Sequence, residues 1–265
     1  MINRLLSFLR AKAFDQPSDL ALPRDKRVDD IFLVSFPKSG NTWISFVLAN
    51  IMVEKLGLDL EVNNFNIHGF IPDIHMGREI PLDMGFFPFK RVIKSHSDFN
   101  RGYINVIYLL RDPRAVMVSY HKHVRGLRRF DGDISDLIRN DSLGISAWAK
   151  HVSGWFDNVE PCVSFRFFRY EDFKTNPGEN TRSMARLLGV SLVDEELAKV
   201  LENSSFERMR MLEEQIKSVS WTKGDKDFKF VREGRTDGWR SELGENDLSY
   251  IMEKAGTLMK KFGYE

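Results

Sequence analysis

Ser35-Phe36-Pro37-Lys38-Ser39-Gly40-Asn41-Thr42-Trp43 is the stretch on which the fold turns. The apolar run Ile31-Phe32-Leu33-Val34 before it reads as a buried strand. Residues 44–56 after it read as a largely buried helix. A strand, a tight loop with Gly40 and a helix start make an anion site. The first backbone N–H groups of a helix have no partner within it and point at whatever sits there. Lys38 adds a point charge, and Ser39, Asn41 and Thr42 add donors. A phosphate or sulfate carried on a nucleotide is the natural guest. A Walker A loop runs Gly, four residues, then Gly-Lys-Ser/Thr, whereas here the lysine precedes the glycine.

Working outward, similar strand-like runs fall at 91–94, 106–110 and 163–169. Helix-like segments fall at 42–56, 114–124, 145–158, 177–188, 194–204 and 247–262. This alternation implies an α/β fold: one domain over residues 31–265, with a central parallel sheet flanked by helices and residues 1–30 as an N-terminal segment. Ligands of such sheets sit beyond the carboxyl ends of the strands, where the polar motifs of this chain cluster. The 265 residues are 42% hydrophobic and 29% charged, enough for a large core. A net charge of +1 gives no global attraction to nucleic acid or to anionic membranes. The single Cys162 excludes an internal disulfide framework and fits a reducing, cytoplasmic setting, with the thiol as a structural side chain. No apolar stretch reaches the roughly 18–20 residues needed to span a bilayer. Residues 1–14 read as a short helix packed on the domain or a frayed end, with weak membrane contact as the other reading. Residues 63–89 lack a clear period and carry Phe65, Phe70, Phe86, Phe87 and Phe89 among glycines and prolines. They read equally as a substrate-pocket wall or as packing under a long loop.

Five further motifs carry chemistry. The run Val106–Leu110 delivers Arg111-Asp112-Pro113, with Ser119 about two helical turns on; Pro113 suits a helix's first turn and an arginine fork suits phosphate. The run 91–93 delivers Lys94-Ser95-His96, whose alternate residues project to one side of an extended chain. Tyr170-Glu171-Asp172 follows the last strand candidate, and Ser205-Phe206 precedes Met209. Arg232-Glu233-Gly234 and Asp237-Gly238-Trp239-Arg240 close the series. His121 and His123 stand two apart, on different helix faces, so no metal site is read.

Together these motifs resemble the cytosolic-type sulfotransferases, enzymes that use 3′-phosphoadenosine 5′-phosphosulfate (PAPS). The resemblance runs from Ile31 to Arg240 in the family's order. It implies that Lys38, Ser39, Gly40, Asn41, Thr42 and Trp43 form the 5′-phosphosulfate loop. It implies that Arg111, Ser119, Arg232, Glu233 and Gly234 surround the 3′-phosphate, and that Tyr170, Ser205 and Phe206 line the nucleotide site, with Trp43 and Phe206 clamping the purine. His96 would be the catalytic base, and Lys38 and Lys94 would hold developing charge. Three departures stand out: Glu233 replaces the family's usual lysine, Asp237-Gly238 inverts its Gly-Asp pair, and Ser97-Asp98-Phe99 follows His96 where the family continues towards proline. An acid at 233 cannot donate to phosphate, though its backbone N–H can. The expected reaction is sulfuryl transfer from PAPS, without metal, to a hydroxyl or amine of a small acceptor, apolar or aromatic if the phenylalanines and Phe130 form its pocket. A non-catalytic nucleotide- or partner-binding scaffold and a P-loop small-molecule kinase are the alternatives. Acceptor identity and oligomeric state are not readable; the short dimer motif of some family members is not recognisable.

Overall fold

The computed structural model describes residues 22–23, 26–76, 89–217, 234 and 236–264. Four parallel strands form one sheet in the order β2-β1-β3-β4: β1 (Ile31–Ser35), β2 (Val92–Ser95), β3 (Asn105–Leu110) and β4 (Ser164–Arg169). Every residue of β1 is buried, as a central strand covered on both faces requires. Its alternation sorts the core into two layers. Leu33 joins a cluster with Phe46, Ile51, Phe70 and Met184, while Phe32 and Val34 join one with Trp148, Trp155 and Met259.

The first layer holds α1 (Asn41–Lys55), α7 (Pro177–Leu188) and α8 (Asp194–Asn203), with α9 (Phe206–Lys217) behind. The second holds α3 (Pro113–Gly126), α4 (Ile134–Arg139), α5 (Ile145–Phe156) and α10 (Glu245–Lys261). Asp112 caps α3 by accepting from the Arg114 N–H at 2.9 Å, with Pro113 in the first turn. Two further helices are short: α2 (Ile67–Phe70), and α6 (Tyr170–Thr175), which follows β4 directly.

The expected strands and helices are present within two residues at each end. The short helices α2, α4 and α6, together with α9, are additions to that expectation; the first three are under two turns long, too short to show a helical period. The irregular stretch 63–89 contains α2 and a 3₁₀ turn at Ile74–Met76, and its residues 77–88 lie outside the described residues. Strand order reverses between β1 and β3, since β1 leads to β2 on one side and β3 lies on the other. The crevice beyond the carboxyl ends of these two strands is where such a sheet binds ligands.

Candidate active site

The loop after β1 ends that crevice. Lys38 has φ 68° and Gly40 has φ 101°, so two left-handed residues bend the chain sharply before α1. A left-handed lysine is strained by about 1 kcal/mol or more, and such strain persists where surrounding contacts over-determine it. Arg111 supplies one such contact: its guanidinium donates to the Lys38 carbonyl at 3.0 Å. Within the same turn the Ser39 N–H donates to the Phe36 carbonyl at 3.3 Å. Gly40 caps α1 with no side-chain bond, leaving the helix N-terminus open to a ligand. The Ser39 hydroxyl is 2% exposed and has no hydrogen-bond partner among the described residues. A buried donor without a partner at this point fits an absent phosphate or sulfate oxygen. Asn41 is a correction to the expected donor set. Its amide donates to the Leu33 carbonyl and Ser35 hydroxyl at 3.2 Å, and reaches the Ser95 carbonyl at 3.4 Å, so it ties α1 to β1 and β2.

The neighbouring motifs converge on the same loop. The Tyr170 ring lies against Gly40, and Arg111 stacks 4.2 Å from that ring's centre. Burial raises the Tyr170 phenol to about 12, so it stays a neutral donor, bonding the Gly234 carbonyl at 3.0 Å. Gly234, at φ 61°, backs onto the Phe206 ring. Trp43 meets Tyr170 edge-on at 5.3 Å and Phe206 at 5.0 Å between ring centres. At ordinary carbon contact a purine sandwiched between two rings holds them roughly 7 Å apart. Trp43 and Phe206 therefore touch each other, and clamping a base between them requires the rings to part. The Trp43 indole N–H donates to the Ser204 carbonyl at 2.9 Å, and Ser205 accepts from the Arg208 N–H at 3.2 Å, capping α9. Ser119 is buried on α3, and Thr42 is half-buried on the first turn of α1. Arg232 and Glu233 lie outside the described residues.

The other end of the crevice is built by β2. The His96 Nδ1 lies 2.8 Å from the Ser35 carbonyl, which only accepts. That nitrogen therefore carries the proton, and Nε2 holds the lone pair. Burial, together with the adjacent Lys94 charge, lowers the His96 imidazolium to about 3, so the ring is neutral at pH 7. Lys94 is not turned freely to the crevice: its ammonium pairs with Asp73 at 3.0 Å, both side chains being largely buried. Asp73 makes an isolated parallel bridge to Lys94, and the Pro72 carbonyl accepts from the Lys94 N–H at 2.8 Å. His75 accepts the His96 N–H at its Nε2, 2.9 Å away, and the Ser95 hydroxyl lies 3.3 Å from the same nitrogen. Burial holds His75 below the usual histidine range as well. Among the described residues no group of three His, Cys, Asp or Glu stands close enough to hold a metal ion.

A sulfotransferase domain model matches residues 28–263. The chain belongs to the sulfotransferase family. Sulfotransferase 1B1 of Canis lupus familiaris is 28% identical over 88% of this chain and 86% of its own length. Sulfotransferase 4A1 of Homo sapiens is 30% identical over 67% of this chain and 66% of its own. Among solved structures, a retinol dehydratase in complex with androsterone and the inactive cofactor PAP superposes with TM-score 0.68 at 19% identity, covering 91% of this chain and 83% of that one. Mouse sulfotransferase SULT7A1, complexed with PAP, superposes with TM-score 0.64 at 20% identity, covering 92% and 91%. Membership in the sulfotransferase family sets aside the kinase alternative.

Sequence reasoning missed Asp73, His75 and Ser35 as partners of the Lys94–His96 element. Asp73 and His75 lie in Ile71-Pro72-Asp73-Ile74-His75, about twenty residues upstream in the unpatterned stretch. Their alternation with apolar residues was the only available signal. Glu171 was also unassigned. One carboxylate oxygen accepts from the Asp112 N–H at 3.1 Å and the other from the Tyr264 hydroxyl at 3.0 Å, so it ties three segments behind the Arg111 corner. Lys174 lies 4.2 Å over the Phe206 ring, and burial and Arg111 hold its ammonium below the usual lysine range. The expected aromatic pocket wall is largely spent elsewhere: Phe70 and Phe89 are buried in the core, Phe65 is on the surface, and Phe130 packs edge-on to His121. Phe86 and Phe87 lie outside the described residues. The Cys162 thiol is half-buried, raised by burial and directed at the Tyr103 carbonyl, as a structural cysteine would be.

Proposed function

We propose that this sulfotransferase moves a sulfuryl group from PAPS to a hydroxyl of a small acceptor, with His96 as general base. The observation that carries the reading is the His96–Ser35 hydrogen bond at 2.8 Å, which leaves Nε2 unprotonated at the end of the strand beside the anion loop. Lys38, the Ser39 hydroxyl, Thr42 and the N–H groups at the start of α1 would hold the 5′-phosphosulfate. Arg111 and Ser119, with Arg232, Glu233 and Gly234, would hold the 3′-phosphate; Trp43, Tyr170, Ser205 and Phe206 would take the base. The acceptor oxygen forms a bond to sulfur as the bond from sulfur to the phosphate oxygen breaks. The acceptor proton passes to His96 Nε2, and adenosine 3′,5′-bisphosphate leaves with the bonding pair. Lys38 meets the charge gathering on the leaving oxygen. Fixed positive groups of this kind cost no reorganisation at the moment of reaction. The androsterone and retinol bound in solved structures of the same fold support a small, apolar acceptor, and the PAP bound in them supports the nucleotide.

The test is transfer from sulfur-labelled PAPS to phenols, aliphatic alcohols and amines, with His96→Ala alongside and adenosine 3′,5′-bisphosphate binding measured by calorimetry. A general base contributes about 10²–10⁴-fold, so labelled product should fall by at least about that factor while nucleotide affinity holds. Equal turnover by the variant would remove His96 from the role. Failure of the wild type to bind the bisphosphate would remove PAPS.

A further inference from the structure

We propose that Asp73 is a positioning residue for sulfuryl transfer, its carboxylate anchoring the Lys94 ammonium beside His96 and offsetting that cation's charge at the base. The proposal rests on the reading of His96 as the base. Three observations and one physical argument carry it. The Asp73–Lys94 pair is direct, at 3.0 Å, with the side chains only 7% and 13% exposed. The backbone of Asp73 is itself docked on Lys94, by the parallel bridge and the Pro72 carbonyl. Asp73 also accepts from the His75 N–H at 3.0 Å, and His75 in turn receives the His96 N–H. One five-residue segment therefore holds Lys94 in β2 by charge and His96, the residue after β2, by its backbone. Finally, burying two opposite charges at a sheet edge is costly to arrange, and an apolar pair packs as well, so simple stability does not explain the pair.

The chemistry needs such an offset. When His96 takes the acceptor proton it becomes a cation in a half-buried site with Lys94 alongside. Among the described residues the charged or titratable groups acting on it are Lys94 of β2, which disfavours that cation, Asp73, which favours it, and His75, which disfavours it. Without Asp73 the lysine charge stands uncompensated and its long side chain loses its anchor. His75 accepts through Nε2 and must stay neutral to do so, so it cannot replace the carboxylate.

The experiment is a cycle of Asp73→Asn, Lys94→Met and the double variant in the full chain, with adenosine 3′,5′-bisphosphate bound. Turnover is read in reverse from 4-nitrophenyl sulfate, and the Lys94 ammonium by ¹⁵Nζ spectra. Replacing the carboxylate by an amide keeps the shape and removes the charge. The expected result is a kcat about 10- to 100-fold lower for D73N, nucleotide affinity within about twofold, and a double variant no slower than K94M alone. The Lys94 ammonium signal, slowed in exchange by its anchor, should vanish in D73N. Unchanged or raised kcat in D73N, additive losses in the double variant, or a retained ammonium signal would each overturn the proposal. Wild-type protein that binds the bisphosphate yet turns over no nitrophenyl sulfate would show that nitrophenol is not an acceptor; the ammonium spectra then decide on Asp73 by themselves, and the base reading falls or stands on His96→Ala. Urea unfolding of each variant separates misfolding from a lost charge.

Discussion

At the residue scale, Gly40 shows how tightly the loop is specified. Its φ of 101° belongs to glycine, and a methyl there would lie 2.6 Å from a ring carbon of Tyr170. Gly40→Ala should therefore destabilise the protein by about 1–3 kcal/mol and weaken binding of adenosine 3′,5′-bisphosphate by more than Ser39→Ala does. Urea unfolding and calorimetry on the two variants check this; an alanine variant with wild-type affinity would mean that the ring moves without consequence. Lys38 presents the opposite case, since a left-handed lysine has no intrinsic preference for its geometry and is held by Arg111 on its carbonyl. The loop motif itself was legible from the order of its residues. That Asn41 spends its amide on β1 and β2 was not, because a donor looks the same in sequence whether it faces a ligand or a sheet.

At the scale of elements, the carboxyl ends of the strands bear the chemistry while their amino ends bear the anchoring. Arg91 and Asp30 form a two-bonded ion pair, Nε to one oxygen and a terminal nitrogen to the other, each 2.7 Å, with both side chains buried. The pair clips the start of β1 to the start of β2 and so sets the register in which Val34 opposes Ser95. Breaking a buried pair on one side leaves an uncompensated charge, and Arg91→Leu should cost about 3–5 kcal/mol in urea unfolding. A loss under about 1 kcal/mol would show that the register is set by the apolar residues alone. The short helices belong to this scale as well. Helix α6 is six residues long, yet it presents Tyr170 to Gly40, Glu171 to Asp112 and Phe173 to the core. Its sequence reads as a polar loop because its burial is created by three neighbouring segments and not by a helical stripe of its own.

For the whole molecule, two histidines couple the site to acid stability. Burial lowers His151 to about 4 and His96 to about 3, from an ordinary value of 6.5. Tyr108 lies 2.8 Å from His151 Nδ1, beneath the loop residue Phe36, so His151 is fixed within the same packed layer. Both rings are neutral when folded and take up protons when unfolded. Their contribution is present above about pH 6.5 and is lost as pH falls toward 4 and 3. Each should add a slope of up to about 1.4 kcal/mol per pH unit in that window. His151→Gln should flatten the dependence of unfolding free energy between pH 6.5 and 4 by one such group; an unaltered slope would place the acid sensitivity elsewhere. By itself, the sequence determined the α/β class, the strand–loop–helix anion site, the order of the motifs and the family. These depend on residues adjacent in the chain and on periodicities that adjacent residues set. Only the tertiary structure decided that Asp73 neutralises Lys94, that His75 receives the His96 N–H, that Glu171 ties Asp112 to Tyr264 and that Trp43 already touches Phe206. Each of those pairings joins residues about 20 to 160 positions apart, and what brings them together is the order of strands in the sheet and the burial around it, which no local pattern encodes.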